Sequence, residues 1–148
     1  MQKLNFPSYK FRIKNSENKT LIYDEIRKKF VVLQPEEWVR QHCIQFLLID
    51  KKYPKSLINV EKTLTINSLR KRYDIVIYNS DGSIFLIVEC KAPHIKIDQR
   101  TFDQIAIYNM ELHSEFLMVT NGIEHYYSFI DFHKKSYSFL KEIPNFSG

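Results

Sequence analysis

YDIVIYNSDGSIFLIVECKAP, residues 73–93, is the stretch that decides the fold. It reads as two apolar strands joined by a turn at Asp81-Gly82. Ile75-Val76-Ile77 follows Asp74, and Ile84-Phe85-Leu86-Ile87-Val88 precedes Glu89, so both strands are apolar on both faces. Such runs mark interior strands covered on each side. Residues two apart on a strand share a face, which aims Glu89 and Lys91 the same way. If Asp81-Gly82 forms a two-residue hairpin turn, Ser80 pairs with Ser83 and Asp74 stands opposite Glu89. Opposed side chains have Cβ atoms about 4.5–5.5 Å apart. Two carboxylates that close repel unless a cation lies between them, and a divalent metal with oxygen ligands suits the arrangement. The alternative is ordinary solvated surface charge. Charge at the end of a buried strand argues against it, because desolvation is costly unless the group is paired or binds metal.

Outward from this hairpin the chain alternates helix and strand. Gln34-Pro35-Glu36-Glu37 opens a helix: proline suits the first turn, and acids there face the positive end of the dipole. Val39, Cys43, Phe46 and Leu47 give it a core face to about residue 50, and Lys51-Lys52-Tyr53-Pro54 ends it. A strand follows over 57–66, then the two hairpin strands, which Ala92-Pro93 terminates. A second, largely buried helix runs from 98 to about 112. Strands over 116–120 and 123–130 flank the Asn121-Gly122 turn. Residues 9–23 read as a strand pair around an Asn15–Asn18 turn, and the last fifteen residues as an edge strand and tail. The order is αβββαβ with strand additions at both termini: an α/β (α+β) fold, a central sheet with a helix on each side.

The 148 residues suit a single domain with one core, and the apolar share of 44% and charged share of 26% are ordinary for a globular chain. Three glycines and five prolines leave no room for long linkers. No apolar run reaches membrane-spanning length and the first residues lack a signal-peptide core, so a cytoplasmic protein without membrane contact is expected. Cys43 and Cys90 sit in apolar segments without metal-ligand spacing and read as reduced core residues. The net charge of +5 is compatible with a polyanionic partner. Arg70-Lys71-Arg72 before Asp74, with Lys91 and Lys96 after Glu89, gathers cations around the carboxylates, where phosphates could be held. For Arg70 and Lys71 a solvated strand end stays open as the alternative. The spacing of the five histidines matches no zinc pattern; only His94 falls near the carboxylates.

On the second helix Gln104 and Tyr108 are four apart and share a face. The ordered set RYDIVIY (72–78), LIVECKAP (86–93), QIAIYN (104–109) and VTNG (119–122) resembles PD-(D/E)xK nucleases. It looks most like the N-terminal nuclease domain of type I restriction enzyme R subunits, in the branch with Q-x-x-x-Y after the E-x-K strand. Tyr73 stands at the proline position of the name-giving motif. The resemblance covers about 35–122 and implies a restriction-endonuclease-like core with a mixed sheet. It implies that Asp74 and Glu89 bind Mg²⁺ (or Mn²⁺), with the main-chain carbonyl of Cys90 as a further ligand. Lys91 then orients or activates the attacking water, and Gln104 and Tyr108 support the site or contact DNA. An acid on the first helix often joins such sites; Glu37 is the first candidate and Glu36 the alternative. Glu61 reads as a support for the site or a surface residue, and Arg72 as a clamp for a neighbouring phosphate.

The expected activity is that of a metal-dependent DNA endonuclease, read mostly through backbone contacts. R subunits fuse this domain to a DNA-translocating motor. No G-x-x-x-x-G-K-[ST] phosphate loop occurs in these residues, so a separate motor or specificity subunit is an expected partner. A catalytically silent nucleic-acid-binding or assembly module of the same fold is the alternative. Phe129, Phe132, Tyr137, Phe139 and Phe146 suggest a homodimer patch, or else ordinary core.

Overall fold

The computed structural model describes residues 1–146; the final two positions of the expected tail lie outside the described residues. An antiparallel meander comes first: β1 (Ile13–Ser16), β2 (Lys19–Asp24) and β3 (Lys29–Val32). The expected strand pair thus has a third member. β3 is only four residues long and half of it is exposed, too little pattern to stand out in sequence. Helix α1 (Pro35–Gln45) follows, with proline in its first turn, and widens into a π turn at Phe46–Asp50.

The main sheet has six strands in sequence order: β4 (Ile58–Ile66), β5 (Leu69–Tyr78), β6 (Ile84–Cys90), β7 (Phe116–Thr120), β8 (His125–Asp131) and β9 (Ser136–Leu140). Only β6 and β7 run parallel, joined through helix α2 (Gln99–Met110); the other pairs are antiparallel. A parallel neighbour cannot be reached by a tight turn, so this crossover makes the sheet mixed.

The two helices cover opposite faces of the sheet, as the strand pattern requires. Val39, Cys43, Ile44 and Leu47 of α1 pack with Ile75, Ile77, Leu86, Val88 and Met118. Phe102, Ala106 and Met110 of α2 pack with Val76, Ile87, Leu117 and Val119. Each such aliphatic side chain, once buried, contributes about 1.5–3 kcal/mol. Cys43 and Cys90 are free and buried in the first of these cores.

Three details depart from the sequence reading. The β5–β6 turn holds three residues, not two: Asn79 N donates to Ser83 O (2.8 Å) and Gly82 N to Asn79 O (3.0 Å). A bulge then follows, because Ile77 pairs with Leu86 but Tyr78 with Ile84, leaving Phe85 over. The extra turn residue and the extra strand residue cancel. One step beyond the Ile75–Val88 pair, the register still sets Asp74 across from Glu89. Helix α2, secondly, is amphipathic rather than largely buried: Gln104 and Tyr108 are exposed and Ile107 is 66% exposed. Its single apolar stripe is enough because only one face meets the sheet. Lastly, the C-terminal aromatics divide: Phe129, Phe132 and Phe139 are exposed, whereas Phe146 packs on the α1-side core and Tyr137 on the α2-side core. No helix among the described residues is long and apolar enough to cross a membrane.

Candidate active site

Glu89 and Cys90 end β6, and Lys91 begins the loop beyond it, at the carboxyl end of the parallel β6–β7 pair. Such ends are where sheets of this kind present ligands, because the chain must leave the sheet there. Lys91 N donates to Thr120 O (2.8 Å) and Asn121 Nδ2 to Ile95 O (2.8 Å), tying the loop to the end of β7. Gly122 completes that end at φ +87°, and a Cβ there would come within 2.9 Å of Leu4.

Asp74 lies where β5 loses its alternation. Tyr73 packs into the α2-side core, yet Ile75, two residues on, packs into the α1-side core. Glu61 on neighbouring β4 has φ 56°, a left-handed conformation rare outside glycine and a sign of local distortion. Asp74 accordingly meets α1: its Oδ1 accepts from Arg40 Nη1 (3.0 Å), and its Oδ2 from Cys90 N (2.8 Å). Burial pushes its carboxyl up to about 6, aided by the charges of Glu36 and Glu89. The Cys90 N–H and Arg40 oppose the rise without cancelling it.

Behind Asp74 stands an ion network that the sequence reading missed. Arg40 Nε and Nη2 donate to Glu37 Oε2 and Oε1 (3.0 and 2.7 Å), and Nη2 lies 3.5 Å from Glu61 Oε1. Arg27 bonds Asp24 Oδ2 (2.7 Å) and Glu37 Oε2 (2.9 Å) and reaches Glu61 at 3.3 Å. Gln41 Nε2 donates to both Asp24 and Glu37. Burial alone would raise the Glu37 carboxyl, but these donors overcome it and hold Glu37 below its ordinary range. The available signal was the i, i+3 spacing of Glu37 with Arg40 and of Asp24 with Arg27, with Gln41 one residue further on. Both oxygens of Glu37 are engaged by guanidinium groups. Glu36 is exposed, and its charge helps to raise Asp74.

Glu89 has a separate basic partner, Lys71 of β5. Lys71 Nζ lies 2.7 Å from its Oε1, and 4.9 and 4.7 Å from the ring centroids of Tyr73 and Tyr108. Tyr108 therefore reaches the site through Lys71, while Gln104 is exposed one turn earlier on α2. Lys91 is half-buried beside Glu89 in sequence, and Arg72 is exposed on β5 two residues before Asp74. A cavity of about 540 Å³ lined by Asn79, Asp81, Phe85 and Glu115 lies at the turn end of β5 and β6, away from these groups.

The donor chemistry suits a hard divalent cation. Asp74, Glu89 and the Cys90 carbonyl are all oxygen donors, and Mg²⁺ commonly uses one or two carboxylates while keeping several waters. Among the described residues no three Asp, Glu, His or Cys side chains form a group that could hold a metal ion. In the ion network behind Asp74 the four carboxyl groups of Asp24, Glu37, Glu61 and Asp74 share the guanidinium groups of Arg27 and Arg40.

No curated protein matches the chain. Residues 35–144 match the family model for the type I restriction enzyme R protein N terminus. Asp24 and Arg27 lie outside that match.

Proposed function

Because the chain belongs to the family of type I restriction enzyme R protein N termini, we propose that it is a metal-dependent deoxyribonuclease domain cutting DNA phosphodiester bonds. The observation that carries this reading is Asp74. It is a carboxylate raised by burial and by two neighbouring acids, across the strand register from Glu89 and next to the E-C-K end of β6. Perturbed carboxylates of this kind concentrate at functional sites.

Asp74 and Glu89 would hold Mg²⁺ or Mn²⁺, with the Cys90 carbonyl and Glu36 as further oxygens. Once bound, such a cation polarises a phosphoryl oxygen and lowers the pKa of water. Lys91 aligns the attacking water and stabilises charge as it develops on the phosphate. Arg72 holds an adjacent phosphate, and Gln104 and Tyr108 brace the substrate side. Arg40 fixes the Asp74 carboxylate, leaving its orientation little freedom. Family membership makes DNA and other restriction subunits, a motor or a specificity chain, the natural partners. A cytoplasmic location is part of the same reading.

Cleavage of supercoiled plasmid and of a labelled single strand, with Mg²⁺, Mn²⁺ or EDTA, tests it. Metal-dependent nicking that Lys91→Ala abolishes supports the assignment, and cutting that survives Lys91→Ala overturns it. One observation favours a silent binding or assembly module instead: each carboxylate already has a basic partner, Arg40 or Lys71. DNA binding without cutting in either metal decides for that second reading.

A further inference from the structure

The motif lysine of the E-x-K strand is Lys91, yet the ammonium held against Glu89 belongs to Lys71. Its Nζ is 2.7 Å from Glu89 Oε1, a short charge-assisted contact. The same Nζ lies over two rings, 4.9 Å from the centroid of Tyr73 and 4.7 Å from that of Tyr108. Both distances fall within the range of cation–π attraction. The Glu89 side chain is 9% exposed and that of Lys71 36%, so the carboxylate is enclosed while the ammonium keeps one side open to solvent.

Two consequences follow from Coulomb's law alone. A divalent cation on Glu89 and an ammonium on the same carboxylate repel each other, so metal binding and the Lys71–Glu89 pair compete. An ammonium displaced from Glu89 still has its ring contacts, because these belong to Tyr73 on its own strand and Tyr108 on α2. Lys71 would therefore stay beside the site with its N–H donors free for an anion. On a DNA-binding face that anion is a backbone phosphate.

We propose that Lys71 exchanges partners: it pairs with Glu89 in the absence of a divalent cation and binds a nucleic-acid phosphate in its presence, caged throughout by Tyr73 and Tyr108. This rests on the reading of Asp74 and Glu89 as metal-binding carboxylates. It also gives the tyrosine of the Q-x-x-x-Y pair a defined task, holding a cation from strand β5.

Calorimetric titration with Mn²⁺, and binding of a short DNA duplex in Ca²⁺ across a salt series, test the exchange in wild-type, Lys71→Met and Lys71→Arg proteins. Lys71→Met should bind Mn²⁺ about tenfold more tightly, the size of a partly buried ion pair no longer competing. It should bind the duplex more weakly, with a salt slope smaller by about 0.9, one phosphate contact. Lys71→Arg, which keeps the charge, should stay near wild type in both. A merely structural lysine would move both affinities in the same direction. Unchanged or weaker Mn²⁺ binding in Lys71→Met, or an unchanged salt slope, overturns the proposal. In wild-type protein the Lys71 ammonium resonance should shift with Mg²⁺ and again with duplex; no response to Mg²⁺ also overturns it, whether or not the variants fold. Wild-type protein that binds no Mn²⁺ would instead remove the metal-site reading beneath it.

Discussion

Replacing Asp74 with asparagine should stabilise the metal-free protein at neutral pH while abolishing metal binding. The carboxyl stands at about 6 in the folded chain against an ordinary value of 3.8, chiefly through burial. Below about pH 4 both folded and unfolded chains hold the proton, and the group contributes no pH-dependent difference. As pH rises from there the unfolded chain ionises first. The folded state then binds more protons than the unfolded one, and stability falls until about pH 6 and stays level above it. The difference of about 2 pH units corresponds to a total loss of about 3 kcal/mol, at about 1.4 kcal/mol per tenfold. Asparagine keeps an oxygen for the Cys90 N–H and cannot titrate. The Asp74 pair with Arg40 forms only as the carboxyl ionises, and the downward pull of Arg40 is already contained in the value of about 6, so its loss is not a separate offset. Urea denaturation of both proteins in EDTA, from about pH 4 to about pH 8, isolates the effect. The gap between them should move by about 3 kcal/mol in favour of the variant, mostly between about pH 4 and about pH 6. A gap that is flat across this window would refute the account of Asp74 as a carboxylate strained by burial and neighbouring acids. At about pH 8, Mg²⁺ at about 100 times its Kd should return about 2.7 kcal/mol to the wild type and nothing to the variant.

Glu36→Gln should weaken Mn²⁺ binding with little change in melting temperature, whereas Glu37→Gln should destabilise the fold by breaking a buried pair; calorimetry and thermal melts on the two separate these roles. Arg27→Met leaves Asp24, Glu37 and Glu61 with one guanidinium among them and should cost about 3 kcal/mol in urea denaturation. A loss below the roughly 0.5 kcal/mol typical of surface changes would mean the network is solvated. Gly122→Ala forces a Cβ into a left-handed conformation and against Leu4, and should cost about 2 kcal/mol. Leu4→Ala in the same background should recover only the packing share, as read by the shift in denaturation midpoint.

Much of this protein was legible because its signals are local. A strand buried on both faces shows as an unbroken apolar run, so β5 and β6 could be placed from Ile75–Ile77 and Ile84–Val88 alone. The register up to Ile75–Val88 holds for a reason sequence reading did not contain, since a bulge at Phe85 cancels the extra turn residue. The extent of α2 was also predictable, but not its burial. Ile105, Ala106 and Ile107 form an apolar run on a helix, and only the position of the sheet decides which of them is covered.

The sequence by itself determined the order of the main elements, which follows from pattern and spacing among neighbouring residues. Its ordered motifs carried the resemblance to the restriction-enzyme family that the family match shows. Only the tertiary structure decided which cation serves which acid. Arg40 reaches Asp74 across 34 positions and Lys71 reaches Glu89 across 18. The distortion of β5 beside Glu61 turns Asp74 toward α1 and Arg40, while Glu89 meets the lysine and tyrosines on the α2 side. Ion pairing depends on separation in space and on the loss of water around each charge, and both are set by the packing of the two helices on the sheet.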